Sequence, residues 1–227
     1  MALTPRVKLG DIFLLIIGVV IAALILGALS LAFGDSHFVA GIVSGIASSV
    51  WCIVGYQRLA RSRGLDSLQV RFSSVSGKII LSSAAGAIVL TVIPLLLAAL
   101  LQLAGFNLRE VPVLSVLPRD LRQLPLAIVF VVILGPFSEE LIFRGLLLDW
   151  LKQKMAVWPA ASIISLLFAL LHNNDFKSGI IGWIAFGDRF FLGLATSFLA
   201  IRYRSLRPSF AMHATLNGFV CIASLFR

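Results

Sequence analysis

Charge is what this sequence lacks. Only 13% of its 227 residues are Asp, Glu, Lys or Arg, while 59% are hydrophobic, and the mean hydropathy is +1.03. A water-soluble domain of this size needs far more polar surface to cover its core, so that class is excluded. Acidic residues are the scarcer kind: 10 stand against 19 Lys and Arg, for a net charge of +9. The basic residues lie between apolar runs, which is the pattern of membrane topology and of contact with anionic lipid. No nucleic-acid motif accompanies them, so no nucleic acid is expected as a partner. Cysteine is nearly absent. Cys52 and Cys221 sit inside apolar stretches, without the spacing of a metal knuckle or a redox pair, and read as small buried hydrophobes. Also missing are the HExxH helix of many zinc peptidases, the GxSxG elbow and a cysteine close to a histidine. Nucleophilic Ser or Cys catalysis therefore has little support.

What is present is a series of long apolar runs, too continuous for the alternating strands of an outer-membrane barrel. They predict an all-α, polytopic transmembrane bundle of about seven helices forming one compact unit. The runs are Ile12 to Phe33, Phe38 to Tyr56, Ile79 to Ala104, Leu124 to about Leu151, Trp158 to about His172, Ile180 to Tyr203 and Pro208 to Phe226. The first is too long for a signal-peptide core and reads as a retained span. The second carries Gly41 and Gly45 in a small-xxx-small face suited to close packing. Pro94 is expected to kink the third. Basic residues gather at the N-terminus (Arg6, Lys8), over 57–78 (Arg58, Arg61, Arg63, Arg71, Lys78), after the fourth run (Lys152, Lys154) and before the last (Arg202, Arg204, Arg207). With alternating spans these four segments share one side, so the N-terminus is expected in the cytoplasm. The other side has Asp35, a loop of mixed charge over 105–123 and Arg227. The compact, loop-poor chain without targeting signals points to a bacterial plasma membrane.

Ionisable groups inside these runs cost about 2.5–3.5 kcal/mol each on insertion scales and therefore mark interior positions. They are Glu139, Glu140, Arg144, His172, Asp188, Arg189 and His213, with the neutral Asn217 beside them. Asp188 and Arg189 are adjacent and are read as the outer start of the sixth helix. The rest converge. Glu139 is 13 residues before Lys152 and His172 is 14 after Trp158, so each lies about 20 Å in from the same side, and His213 about 9 Å in. Glu140 and Arg144, spaced i, i+4, share a face and can pair, while Glu139 points about 100° away. His213 and Asn217 share a face by the same spacing. Gly135-Pro136 is expected to weaken or break the helix, with Ser138 as a cap for a new start and both glutamates in its first turn.

Taken singly, each feature has a plain structural explanation: an internal ion pair, a satisfied histidine, an inter-helix hydrogen bond. Together they place the only deep carboxylates and both deep histidines on three helices at compatible depths. A carboxylate and a histidine can activate water as general base, with His213 and Asn217 donating to an oxyanion. Alternatively, Glu139, His172 and His213 are the usual ligand types of a catalytic zinc, which leaves Zn an open cofactor and no cofactor fixed. Either arrangement suits amide hydrolysis. A proton-coupled transporter would use the same groups, but no internal repeat is present.

The motifs EELIFRG (139–145), FALLH (168–172) and HATLN (213–217) resemble, in order and spacing, the EExxxR, FxxxH and HxxxN motifs of the CAAX protease and bacteriocin-processing family of intramembrane proteases. The resemblance covers about 124–220. Residues 1–123 carry no such motif and form N-terminal transmembrane helices, with 124–227 as the protease-like core. The resemblance implies hydrolysis of a peptide bond in a membrane-associated or lipidated peptide or protein, in a cavity open to the cytoplasm. It implies Glu139 as the catalytic glutamate acting with His172 on water, Glu140 and Arg144 as supports, and His213 and Asn217 as oxyanion donors. Both glutamate-type and metal-dependent descriptions of the family exist; the roles close without an ion. A non-proteolytic immunity or scaffold protein that keeps the polar cluster for packing is the alternative.

Overall fold

The structure, a computed structural model, describes residues 7–33, 37–106, 124–172 and 179–224. The loop over 107–123, the Asn173–Ser178 patch, Arg6, Asp35 and Arg227 lie outside the described residues. The described chain is all-α. Its helices are α1 (Leu9–Ala32), α2 (His37–Arg63), the short α3 (Leu68–Arg71), α4 (Gly77–Leu103), α5 (Leu124–Leu151), α6 (Val157–His172), α7 (Ile180–Tyr203) and α8 (Arg207–Ser224). Five of them, α1, α2, α4, α5 and α7, are long and apolar enough to cross a membrane. Helix α6 is apolar but shorter, and α8 carries His213 and Asn217. All seven expected runs are therefore helical, five of them long and apolar enough to cross a membrane, with α3 added between α2 and α4.

Helices α1 and α4 are apolar on nearly every face, as lipid-exposed spans are. On α1, Phe13, Leu14 and Leu24 face outward, and on α4 Leu81, Leu95 and Leu100 do. Helix α5 instead lies between two cores. On one side Leu141 and Leu146 pack with Ile12 and Leu15 of α1, Cys52 and Tyr56 of α2, and Leu206. On the other, Phe143, Leu148 and Leu151 pack with Ala87 of α4, Ala160, Ile164 and Phe168 of α6, Leu192 of α7 and Met212 of α8. The two cysteines are free and buried, as read from the sequence. Of the two glycines in the small-xxx-small face, only Gly45 makes a close approach: a Cβ there would meet the ring of Phe130 on α5 at 2.2 Å, whereas at Gly41 it would meet nothing.

Backbones approach closely where α7 crosses α6. A Cβ on Gly193 would stand 2.9 Å from both Cα and Cβ of Ser165, so only glycine fits there without moving a backbone. At the basic end, polar links tie the connections down. Arg71 bonds the Tyr56 hydroxyl at 3.0 Å and Asp149 at 2.5 Å, Asp149 also holds Lys152 at 2.6 Å, and the backbone N–H of Leu206 donates to Arg71 O at 2.7 Å. Burial works against the charge of Arg71, but Asp149 and Tyr56 beside it outweigh that and hold its guanidinium above its ordinary range.

Of the two outcomes expected at Gly135-Pro136, weakening or breaking, α5 shows no break. The helix runs through it and widens into π turns over Val129–Leu134 and again over Phe143–Leu147. The cause can be read from the hydrogen bonds. Gly135 N–H donates to Phe130 O, five residues back. In that register the next donor would be residue 136 onto Val131 O, but proline has no N–H. The orphaned Val131 carbonyl is taken by the side chain of Asn217 on α8, whose Nδ2 donates at 2.9 Å. Ser138 is thus not a helix start. Its hydroxyl bonds back to Leu134 O at 2.8 Å and lies 3.2 Å from the hydroxyl of Ser49 on α2. The glutamates consequently do not sit in the field of a new helix N-terminus. Helix α4 continues through Pro94 without interruption.

Two stability measurements follow. Asn217→Ala strands the Val131 carbonyl and is expected to cost about 1–3 kcal/mol in reversible unfolding of the purified chain. Pro136→Ala on that background returns an N–H and recovers much of the loss, and strict additivity of the two substitutions would refute this account. Gly193→Ala is expected to lower the unfolding midpoint by a comparable overpacking cost, about 1–3 kcal/mol. An unchanged midpoint would mean that α6 and α7 can separate freely.

Candidate active site

Helix α5 carries the two carboxylates and the arginine. Because residues 139 and 140 point about 100° apart, one glutamate turns into the bundle and the other toward its edge. Glu140 is the inner one. It and the Arg144 side chain are fully buried, and Arg144 Nη1 donates to Glu140 Oε1 at 3.1 Å. The i, i+4 pairing expected from the sequence is therefore present. Two buried charges need more than each other to offset their lost hydration. Arg144 Nη2 donates to the carbonyl of Gly193 on α7 at 3.2 Å, and its guanidinium carbon lies 4.8 Å from the centre of the Phe168 ring and 5.7 Å from that of Phe143. Glu140 Oε1 also accepts from His213 Nδ1 on α8, at 2.9 Å. Two atoms of this set, Glu140 Oε2 and Arg144 Nε, are buried with no hydrogen-bond partner among the described residues.

Glu139 is the outer one, with 30% of its side chain accessible. Its two oxygens face two different imidazoles. Oε1 is 3.5 Å from His172 Nε2 on α6, and Oε2 is 3.5 Å from His213 Nε2. Both separations are longer than a close hydrogen bond, so the carboxylate keeps lone pairs for a third group. The histidines are oriented from behind. His172 Nδ1 faces the carbonyl of Phe168 at 2.8 Å, which only accepts, so that nitrogen carries a proton and Nε2 is left toward Glu139. The His172 ring stacks on Phe168 at 4.2 Å between centroids. His213 is held likewise through Nδ1 on Glu140, again leaving Nε2 toward Glu139. Phe168 thus touches Arg144, His172 and, edge-on at 5.6 Å, His213.

Glu139, Glu140, Arg144, His172 and His213 come together in one connected set. Asn217 stands one turn beyond His213 and spends one N–H on Val131 O; the amide has a second. Asp188 and Arg189 are not at a helix start. Helix α7 already begins at Ile180, and the two form their own 2.7 Å pair well inside it, because a run interrupted by one neutralised pair need not end there. The metal alternative named Glu139, His172 and His213. Each imidazole addresses a different oxygen of Glu139, and no three His, Cys, Asp or Glu side chains among the described residues are grouped as metal ligands. No step below passes through an ion. Sequence reasoning missed the Gly193 and Val131 carbonyls, since main-chain acceptors leave no mark in residue identity. The absence of an N–H at Pro136 was the one available signal for the second.

Residues 121–219 match the family described as type II CAAX prenyl endopeptidase Rce1-like. A segment of 110 residues is 36% identical to the membrane-embedded CAAX protease MroQ of Staphylococcus aureus (strain USA300), covering 46% of this chain and 41% of that protein. The chain thus spans less than half the length of this relative. No solved structure matches it. The matched segment holds all three motifs and every side chain of the set around Glu139, and over that segment the chain is similar to the CAAX protease and bacteriocin-processing family of membrane proteins.

Proposed function

We propose that the chain is an intramembrane endopeptidase that hydrolyses a peptide bond of a membrane-associated or lipidated peptide with a water activated by Glu139 and His172. The observation that carries the reading is the asymmetry of the two adjacent glutamates. Glu140 is sealed against Arg144 and His213, whereas Glu139 is partly open and bridged loosely by two imidazoles. A carboxylate with free lone pairs beside a pre-oriented histidine is suited to hold a water and take its proton.

In the reaction Glu139 accepts a proton from that water as its oxygen attacks the scissile carbonyl carbon. His172, fixed by Phe168 O, orients both the carboxylate and the water. The oxyanion that forms accepts hydrogen bonds from His213 Nε2–H and from the second N–H of Asn217. Glu140, bonded to His213 Nδ1, holds that imidazole in position for this role, and Arg144 keeps Glu140 in place. As the C–N bond breaks, Glu139 returns its proton to the departing amine, leaving an acid and a free N-terminus. The roles close on side chains of this chain, so chelators are expected to leave the rate unchanged. The basic ends of α2, α5 and α7 support an entrance on the cytoplasmic side.

The test uses the full-length chain in liposomes with a fluorogenic lipopeptide. Glu139→Gln and His172→Ala are each expected to lower turnover by about 10²–10⁴, while insertion and the unfolding midpoint stay near wild type. Wild-type rates in both variants would leave only an immunity or scaffold role. Topology is checked separately by labelling single introduced cysteines, the native two being buried. Lys154→Cys is expected to react with an impermeant reagent from the cytoplasmic side and Leu103→Cys from the opposite one.

A further inference from the structure

Arg144 has a second neighbour besides Glu140. A cavity of about 420 Å³ opens at the basic end of the bundle, and Arg144 forms part of its wall together with Asp66, Arg71, Asp149, Lys152 and Arg204. Its volume is within the roughly 300–1,000 Å³ of small-molecule sites. The balance of charge on its walls is the first point. Asp149 is shared between Arg71 at 2.5 Å and Lys152 at 2.6 Å, and Asp66, largely exposed, is 3.7 Å from Arg71. Three cations with accessible side chains, Arg71, Lys152 and Arg204, therefore face two carboxylates, and Arg204 has no ion-pair partner among the described residues. The second point is the fully buried Arg144 side chain, whose Nε has no partner either. The third is the backbone. Arg204 is the only described non-glycine residue with positive φ, at 49°, in the left-handed cap that ends α7. Glycine is the favoured residue at such a cap, so what an arginine adds there is its side chain.

We infer that this cavity is a phosphate-binding site, in which Arg204 and Lys152 hold the anion at the mouth and the buried charge of Arg144 lies behind the wall. Planar guanidinium groups suit phosphate oxygens, and a basic pocket between helix ends is placed to take the headgroup of an anionic lipid. The same chemistry would accept a free phosphate. The site adjoins the cluster at Glu139 through Arg144, and its occupancy is measurable whether or not the chain is a peptidase.

The full-length chain is placed in phosphatidylcholine nanodiscs with or without phosphatidylglycerol, and retained lipid is counted by native mass spectrometry. In parallel, thermal unfolding in phosphatidylcholine alone is followed with inorganic phosphate against chloride at equal ionic strength. Selective retention of phosphatidylglycerol is expected, weakened about tenfold by Arg204→Gly. That variant should unfold no earlier than wild type, because glycine suits the left-handed cap. Lys152→Gln should weaken retention as well, and Lys154→Gln, outside the cavity, should not. Stabilisation by inorganic phosphate as well as by the lipid means that the site accepts the group from either source, and a response to the lipid alone assigns the headgroup. No preference for phosphatidylglycerol together with no response to phosphate would overturn the inference. So would equal loss in Arg204→Gly and Lys154→Gln, which would indicate diffuse surface attraction.

Discussion

The pairing of Glu140 with Arg144 is the interaction on which the rest of the site depends. Neither charge could be held alone at full burial, and their mutual attraction does not by itself offset two lost hydration shells. The remainder is supplied by neighbours on three other helices: the Gly193 carbonyl of α7, the Phe168 face of α6 and the His213 imidazole of α8. Each of these also places something else. Gly193 sets the α6–α7 contact, Phe168 supports His172, and His213 turns its far nitrogen toward Glu139. The ion pair therefore fixes the relative positions of four helices at the depth where the open carboxylate stands.

This dependence explains what was legible in the sequence. Long apolar runs announce spans because hydrocarbon tolerates little else, so the helix count and the all-α class followed from composition and run length. The five ionisable members of the set stood out for the same reason, and helical spacing alone separated Glu140 with Arg144 from Glu139. What spacing could not supply was the acceptor side. The carbonyls of Gly193, Phe168 and Val131 orient Arg144, His172 and Asn217, and any residue carries a carbonyl. Only a fold can select which ones are left without a helical partner.

Two readings went wrong for one reason. Gly135-Pro136 was read as weakening or breaking the helix, with Ser138 as the cap of a new start, and Asp188-Arg189 as a boundary, on the assumption that a helix stops where its local propensity fails. Inside a packed bundle, a neighbouring element can satisfy what the helix itself cannot. Asn217 does this for the proline, and the i, i+1 pair does it for its own charges. Local propensity describes the isolated segment, and here the surrounding helices decide.

The widened turns of α5 have a consequence for how the chain can change. Each π turn holds one more residue than an α turn, so it acts as a phase shift: everything beyond it is rotated by about 100° about the helix axis. One such shift precedes Glu139 and one follows it at Phe143–Leu147. The segment carrying both glutamates is thus set in phase independently of either end of the helix. With the preceding turns held fixed, loss of a single residue between 129 and 134 would put Glu140 in the place of Glu139 and Leu141 in the place of Glu140. In this helix, length is as much a part of the site as side-chain identity.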